Sequence, residues 1–382
     1  MKADIASIIR EFQVRGTFLD AKPFGNGHLH DTYKVEVQST GQLVAYILQR
    51  INSYAFRNPQ QLMENINRIT AHILGKLQRS GFTPAEIARR VLNVIHTHQG
   101  GGYFTDREGN YWRMFTFIAH TRSYDIIHDP HRLFQAAFMF GGFLRMLEDL
   151  PSPALFDSIP DFHNGTKRLA VFLEAVHADT TNRAQAAKRE IDFVLGQISL
   201  FDVVPRLVEQ GKIPLRPTHN DTKVNNVLLD ETTGQGMCVI DLDTTMSGVS
   251  LYDFGDLART TLSIQKEDEQ DLSTVFAEIP RFKIILEGFL TGAGDSLSVI
   301  EKDYLVFSTK FMPMIIGLRF LTDYLLGDVY FKIHRPEHNL DRCKRQFKMV
   351  QSIIEREEEM LRVTEQCIIT TCGIVPPELG RL

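Results

Sequence analysis

Between residues 218 and 256 the chain gathers its chemistry-bearing side chains into one short stretch. His219, Asp221, Lys223 and Asn226 come first. A hairpin signal over residues 230–236, an apolar strand-like run over 237–240, and then Asp241 and Asp243 follow. This order constrains the fold more than any other part of the sequence, because a tight hairpin returns the chain to its own beginning. The return brings Asn226 and Asp241 to one point, as two oxygen ligands for a hard cation. Asp and Asn are also frequent in turns for conformational reasons alone. The strand signal placed just before the second acid weighs against that simpler reading.

The same stretch resembles a kinase catalytic loop followed by its metal-binding aspartate, the H-R-D-x-x-x-x-N pattern with Asn220 in place of the Arg. The resemblance makes Asp221 the acceptor for the attacking hydroxyl proton and brings Lys223 to the transferred phosphoryl group. Asn226 and Asp241 would hold Mg²⁺, with Asp243 a second ligand or an acceptor behind it, and His219 would orient the loop. Such chemistry needs little covalent help, only in-line placement and neutralisation of phosphate charge.

A chain of 382 residues is too long for one ordinary core and implies two domains or one two-lobed enzyme. Its 43% hydrophobic and 23% charged residues are those of a globular protein, and a net charge of -5 without a basic block offers nothing to nucleic acid. Cys238, Cys343, Cys367 and Cys372 have no metal or disulfide spacing, which favours a reducing compartment. Lys2, Asp4, Arg10 and Glu11 leave no apolar core for a secretory signal. The longest apolar run, residues 134–147, is broken by Gly141, Gly142 and Arg145 and does not approach a membrane span. A cytoplasmic protein with no membrane partner is expected.

Along the chain, residues 5–12 read as a short helix. The turn Pro23-Phe24-Gly25-Asn26-Gly27-His28 leads into strands over 32–37 and 42–49, the second with Val44, Tyr46 and Leu48 on one face. Such a turn can lie over phosphates, although hairpins use the same residues for shape alone. Residues 62–77 carry apolar groups at helical spacing, and 91–96 and 111–118 are strand-like. From residue 131 the pattern is mainly helical, over 133–150, 167–178, 183–210, 267–290, 301–326 and 338–367. The expectation is an α+β fold of two lobes. A β-rich N-lobe of residues 1–118 would cover the nucleotide, and a larger helical C-lobe of 119–382 would carry the catalytic loop, the two joined near residues 117–120.

The loop 219–226, Asp241-Leu-Asp243 and Leu251-Tyr-Asp253-Phe-Gly-Asp256 are similar to the aminoglycoside phosphotransferase and choline kinase superfamily, which shares the protein-kinase-like fold. Trp112-Arg113, Arg319-Phe-Leu321, Asp323-Tyr324, Gly327-Asp328-Val329-Tyr330-Phe331 and Pro336-Glu-His-Asn-Leu340 narrow the resemblance to bacterial N-acetylhexosamine 1-kinases. It implies ATP and Mg²⁺ as cofactors and phosphorylation of the 1-hydroxyl of GlcNAc or GalNAc. Asp253 and Asp256 would brace the loop, and Gly25, Gly27, Gln49, Phe117 and Ile118 would contact the nucleotide. One departure stands out: where kinases place a strand Lys for the phosphates, this chain has Gln49. Glu64, the natural partner of such a Lys, reads better as a surface acid.

A sugar site needs convergent polar groups and an aromatic platform. His28, His30, Arg319, Asp323, Tyr324 and Tyr330 are the residues proposed for it. Arg319 and Asp323 share a helical face, which an ordinary intrahelical ion pair would also explain. Either His is more readily a structural group. Other acceptors stay open, namely choline, ethanolamine or an aminoglycoside. So do a metal-dependent hydrolase and a nucleotide-binding pseudokinase, for which the missing Lys speaks.

Overall fold

The protein was analysed as a computed structural model that describes residues 5–25, 29–151 and 153–371. Helix α1 (Ile5–Ile9) precedes strands β1 (Thr17–Pro23), β2 (Asp31–Ser39) and β3 (Gln42–Ile51). Thr40 and Gly41 turn β2 into β3 with φ of 47° and 83°, the two-residue hairpin whose twist suits its strands. Helix α2 (Pro59–Arg79) is started by Asn58, which accepts the Gln61 N–H, and by a Pro whose missing N–H costs nothing there. After α3 (Pro84–Ile87) come β4 (Val94–Ile95), β5 (Phe104–Thr105) and β6 (Tyr111–Thr116). The antiparallel sheet runs β1-β2-β3-β6-β4, with β5 also on β6. Val35, Val37, Tyr46, Leu48, Trp112 and Met114 form its outer face under Ile8 and Ile9. Ile51 and Phe115 face the other way, into the main core.

The helical part follows as β7 (Thr121–Arg122), α4 (Pro130–Met146), α5 (Gly165–Ala178), α6 (Lys188–Leu195), α7 (Val203–Glu209) and β8 (Arg216–Thr218). The hairpin β9 (Val227–Asp230) and β10 (Gly236–Val239) comes next. Then come β11 (Met246–Gly248), α8 (Ser250–Thr261), α9 (Ile279–Ala293), α10 (Val299–Asp303), α11 (Leu305–Leu325) and α12 (His338–Thr371). An antiparallel sheet thus precedes a helical C-terminal part, as the α+β reading expects.

Several boundaries differ from expectation. Residues 183–210 do not form one helix. The chain leaves α6 at Gly196, makes a 3-10 turn over Ile198–Leu200 and restarts at Val203, with Pro205 in the first turn where a Pro is tolerated. The helix expected from 267 begins only at Ile279, because Pro280 fits a first turn and not an interior. Residues 301–326 break at Tyr304, and the strand over 91–96 shrinks to two residues. Strand β1 was not foreseen, since its mostly exposed side chains carry no clear alternation. Against the expectation that no segment is apolar enough, α11 is long and apolar enough to cross a membrane; most of it is buried in the core here. Cys238 and Cys343 are free, and Cys238, Cys343 and Cys367 are all buried.

Helix α2 is tied to the helical part by several side-chain bonds. Asn65 donates to the Phe156 carbonyl (2.7 Å) and accepts the Phe156 N–H (2.9 Å). Arg68 donates to the carbonyls of Pro151 and Ala154, and Lys76 pairs with Asp149. Glu64 is exposed, as its reading as a surface acid requires.

Candidate active site

Strands β8 and β11 pair through Thr218 and Met246 and hold both ends of the polar stretch side by side. Between them the chain adopts two left-handed residues, Asn220 (φ 62°) and Asp241 (φ 60°), a conformation Asn and Asp tolerate best among residues with a side chain. Asp253, in the first turn of α8, accepts the N–H groups of His219 (3.0 Å) and Asn220 (2.7 Å), and its carbonyl accepts the Thr222 hydroxyl. Burial pushes the Asp253 carboxyl up to about 7, against the pull of those two N–H donors. Asp256 makes no hydrogen bond to the loop; it is bound by Arg259 (2.7 Å), which reaches on to Glu267 (2.9 Å). The two acids expected to brace the loop therefore differ, one acting directly and the other at a distance.

His219 donates from Nε2 to the Ile240 carbonyl (2.9 Å), and its Nδ1 accepts the Asp221 N–H (3.3 Å). That pattern requires the neutral Nε2–H tautomer, and burial lowers the imidazole's pKa in the same sense. His219 is thus a strut between catalytic loop and hairpin. His163, which the sequence reading passed over, does the same from the other side. Its Nε2 donates to the Asn220 carbonyl (2.8 Å), and burial drops its pKa to about 3.

Asn226 donates from Nδ2 to the carbonyl (2.9 Å) and to Oδ2 (3.2 Å) of Asp221, while Lys223 Nζ lies 3.1 Å from Oδ1. Burial works to raise the Asp221 carboxyl, but the Lys223 ammonium beside it outweighs burial and holds the pKa below the usual range. Asp221 is ionised, as a proton acceptor must be. Asp221 in turn raises the Lys223 pKa. The hairpin closes as expected: the Ile240 N–H donates to the Asn226 carbonyl (2.9 Å), so Asp241 follows directly beside Asn226. Burial first, then Asp243 and Asp221, push the Asp241 pKa well up.

Asp243 is buried and fully engaged. Arg113 of β6 grips its carboxylate with both guanidinium arms, Nη2 at 2.6 Å from Oδ2. Arg113 Nε donates to Gln49 Oε1 (3.0 Å), and Gln49 Nε2 donates to Thr32 (3.1 Å). His30 Nε2 lies 3.4 Å from Asp243 Oδ2, and its Nδ1 accepts the Asn52 N–H (3.1 Å). Of the two roles expected for Asp243, a second metal ligand or an acceptor behind the first, these contacts agree with the acceptor, and His30 takes the hydrogen-bonded structural part its reading preferred. Arg113 itself was missed, although an Arg between Trp112 and Met114 in an apolar strand signals a buried charge in need of a partner.

Among the described residues no three His, Cys, Asp or Glu side chains could hold an ion by themselves. The chemistry of the donor set nevertheless fits Mg²⁺. Asn226 Oδ1 and the Asp241 carboxylate are hard oxygens, and Mg²⁺ takes the rest of its shell from phosphates and water.

On the nucleotide side, Gly25 has φ 77°, and Phe24 beside it meets Phe117 edge-on at 5.8 Å, with Lys34 over the Phe117 ring. Gly27 and His28 lie outside the described residues. The Phe117 N–H is spent on the Ala45 carbonyl (3.1 Å), while the Ile118 N–H makes no hydrogen bond among the described residues. On the acceptor side, Arg319 stacks over Phe162 (4.7 Å), Phe331 (5.5 Å) and Tyr330 (5.8 Å) and makes no hydrogen bond or ion pair among the described residues. Burial lowers its pKa, with Tyr330 and Asp221 opposing, so it lies within electrostatic reach of Asp221. Asp323 and Tyr324 are not brought there. Asp323 accepts the N–H groups of Val329, Tyr330 and Phe331 and the Asn339 amide, which leaves no lone pair for a ligand. Tyr324 packs against Arg183.

Residues 20–280 match the family model of the phosphotransferase enzyme family, APH. Among solved structures, a choline kinase from Cryptosporidium parvum Iowa II is 14% identical with a TM-score of 0.59, over 95% of this chain and 99% of its own. A microcompartment-associated aminopropanol kinase is 12% identical with a TM-score of 0.57, over 94% and 98%. A spectinomycin phosphotransferase in complex with ADP and spectinomycin is 14% identical with a TM-score of 0.50, over 95% and 98%. At such identities these likenesses speak for the fold, which is protein-kinase-like, while the family match spans most of the chain. This fold, with a family match over most of its length, makes the chain a member of the APH phosphotransferase enzyme family.

Proposed function

We propose that this small-molecule phosphotransferase moves the γ-phosphoryl group of ATP to the anomeric hydroxyl of an N-acetylhexosamine. The observation that supports a neutral acceptor is Arg319. Its guanidinium has no hydrogen-bond or ion-pair partner among the described residues and is ringed by Phe162, Tyr330 and Phe331, with the Asp221 charge working to raise its pKa. Choline, ethanolamine or an aminoglycoside would bring a cation toward that guanidinium. A sugar offers hydroxyl and acetamido oxygens to its free donors and an apolar face to the rings. The resemblance of residues 319–340 to N-acetylhexosamine 1-kinases supports the same choice.

In this reading Asp221 accepts the proton of the attacking hydroxyl, and Lys223 offsets charge on the transferred group. Asn226 and Asp241 would hold Mg²⁺, which when bound supplies charge neutralisation at the phosphates. Ile118 offers its N–H to the base, and Gly25 lies in the turn beside the phosphates. The test is ATP consumption with Mg²⁺ across GlcNAc, GalNAc, glucose, galactose, choline and an aminoglycoside, with phosphorus NMR of the product. A sugar 1-phosphate from an N-acetylhexosamine is expected. Turnover with a cationic alcohol alone would overturn the acceptor assignment.

A further inference from the structure

We propose that Arg113 is the positioning residue for the metal side of this site, acting through Asp243 in the role a strand lysine would otherwise fill. The inference rests on the phosphoryl-transfer reading above and names what keeps Asp241 in place.

Asp241 has φ 60° and ψ 56°, a conformation that persists only where its surroundings over-determine it. The ties can be followed residue by residue. The Ile240 N–H is held by the Asn226 carbonyl, and Leu242 is buried. Thr244 donates to the His219 carbonyl (2.8 Å) and accepts from Asn220 (3.0 Å). All of these come from the helical part of the molecule or from the loop itself. Asp243 supplies a tie that crosses to the N-terminal part, where Arg113 of β6 grips both its oxygens and His30 Nε2 lies 3.4 Å from one of them. Only a planar fork can grip both carboxylate oxygens at once, a geometry unavailable to an ammonium.

The same pair sets the charge. With Arg113 in place, Asp243 is compensated, and a cation between Asn226 and Asp241 meets one uncompensated carboxylate on that side. Without it, two carboxylates two residues apart would compete for the ion. Gln49 then has a physical reason. Its Oε1 accepts from Arg113 Nε and fixes the fork, whereas a Lys at 49 would remove that acceptor and set a second cation against the first. The neutral residue on β3 is thus the companion of a cation on β6, its register partner. That removes the ground for a pseudokinase.

The decisive variant is Arg113→Met with Asp243→Leu, because replacing a buried ion pair by apolar groups commonly preserves folding whereas removing one partner does not. Mn²⁺ binding in the presence of ADP, followed by electron paramagnetic resonance, is the readout besides turnover. The folded double variant is expected to melt near the wild-type temperature, to bind Mn²⁺ about tenfold or more weakly, and to need correspondingly more Mg²⁺ for half-maximal rate. Its metal-free ADP affinity should stay within about threefold, since Arg113 touches no nucleotide in this reading. Wild-type Mn²⁺ affinity in that folded variant would reduce the pair to a structural contact and overturn the inference. If the double variant does not fold, Arg113→Lys and Gln49→Met decide, since each keeps the buried carboxylate near a charge while loosening the fork. Weaker Mn²⁺ binding in both supports positioning, and unchanged binding in both overturns it. A wild-type protein that binds ADP without any metal dependence and phosphorylates nothing would instead remove the phosphoryl-transfer reading beneath it.

Discussion

Two neutral imidazoles, His163 and His219, grip the backbone around Asn220 and Asp221 and decide how the loop responds to acid. Burial holds both below their ordinary pKa, His163 at about 3. The unfolded chain takes up protons near pH ~6.5, so below that point it binds protons that the folded state refuses. The contribution of each histidine is therefore full above about pH 6.5 and is lost with acid, by up to about 1.4 kcal/mol per pH unit. Asp253, held up at about 7, contributes in the opposite sense over the same window, so the histidine part is read as the difference between thermal melts of the wild type and a His163 variant from about pH 8 to pH 5. His163→Gln, whose amide still donates to the Asn220 carbonyl, should lose part of the slope. For turnover, Asp221→Asn is expected to cost about 10²- to 10⁴-fold in kcat while Mg·ADP binding stays within a few-fold, as single-turnover assays and calorimetry would show. Arg319→Met should raise the acceptor KM by about tenfold and leave the ATP KM unchanged, a loss of one charged hydrogen bond. Asp221, Asn226 and Asp241 were legible because their chemistry is compressed into a short stretch of chain. Arg113 was not, because the partner that explains it lies 130 residues away.

At the scale of the element, the long amphipathic helices and the β2–β3 pair were legible because each carries its own period or turn. What stayed hidden was set by tertiary contact. Strand β1 exists because β2 pairs with it, and the 183–210 segment breaks where Gly196 and Pro205 punctuate an otherwise helical pattern. Asp323 shows the same limit at a helix end. Its spacing from Arg319 suggested a shared ligand, yet its oxygens are consumed in shaping the 329–331 segment. The adjacent glycines of α4 make a sharper case. A Cβ on Gly141 would lie 2.2 Å from the Phe289 carbonyl of α9, whereas one on Gly142 would meet nothing within 4 Å. Gly141→Ala should therefore destabilise by about 1–3 kcal/mol through forced separation of the helices. Gly142→Ala should stabilise by about 0.5–1 kcal/mol through helix propensity alone. Urea titrations of the two variants, identical in composition, would measure opposite signs.

The molecule as a whole is held across its cleft by helix α2 and by the Arg113–Asp243 pair. Helix α2 leans on the C-terminal part through Asn65, whose amide closes two bonds with the Phe156 backbone. Asn65→Leu would leave that N–H and C=O without partners, at a cost of about 1–3 kcal/mol in chemical denaturation. The buried pair has a further consequence, for the order in which the protein is made. Arg113 leaves the ribosome 130 residues before Asp243 does. Until the carboxylate arrives, its guanidinium has no counter-charge, and enclosing it in an apolar sheet is too costly to persist. The nascent chain thus leaves the inner face of the sheet, with Arg113 and Phe115, without its covering until the hairpin is synthesised, whereas the outer face of Trp112 and Met114 already has Ile8 and Ile9 to close it.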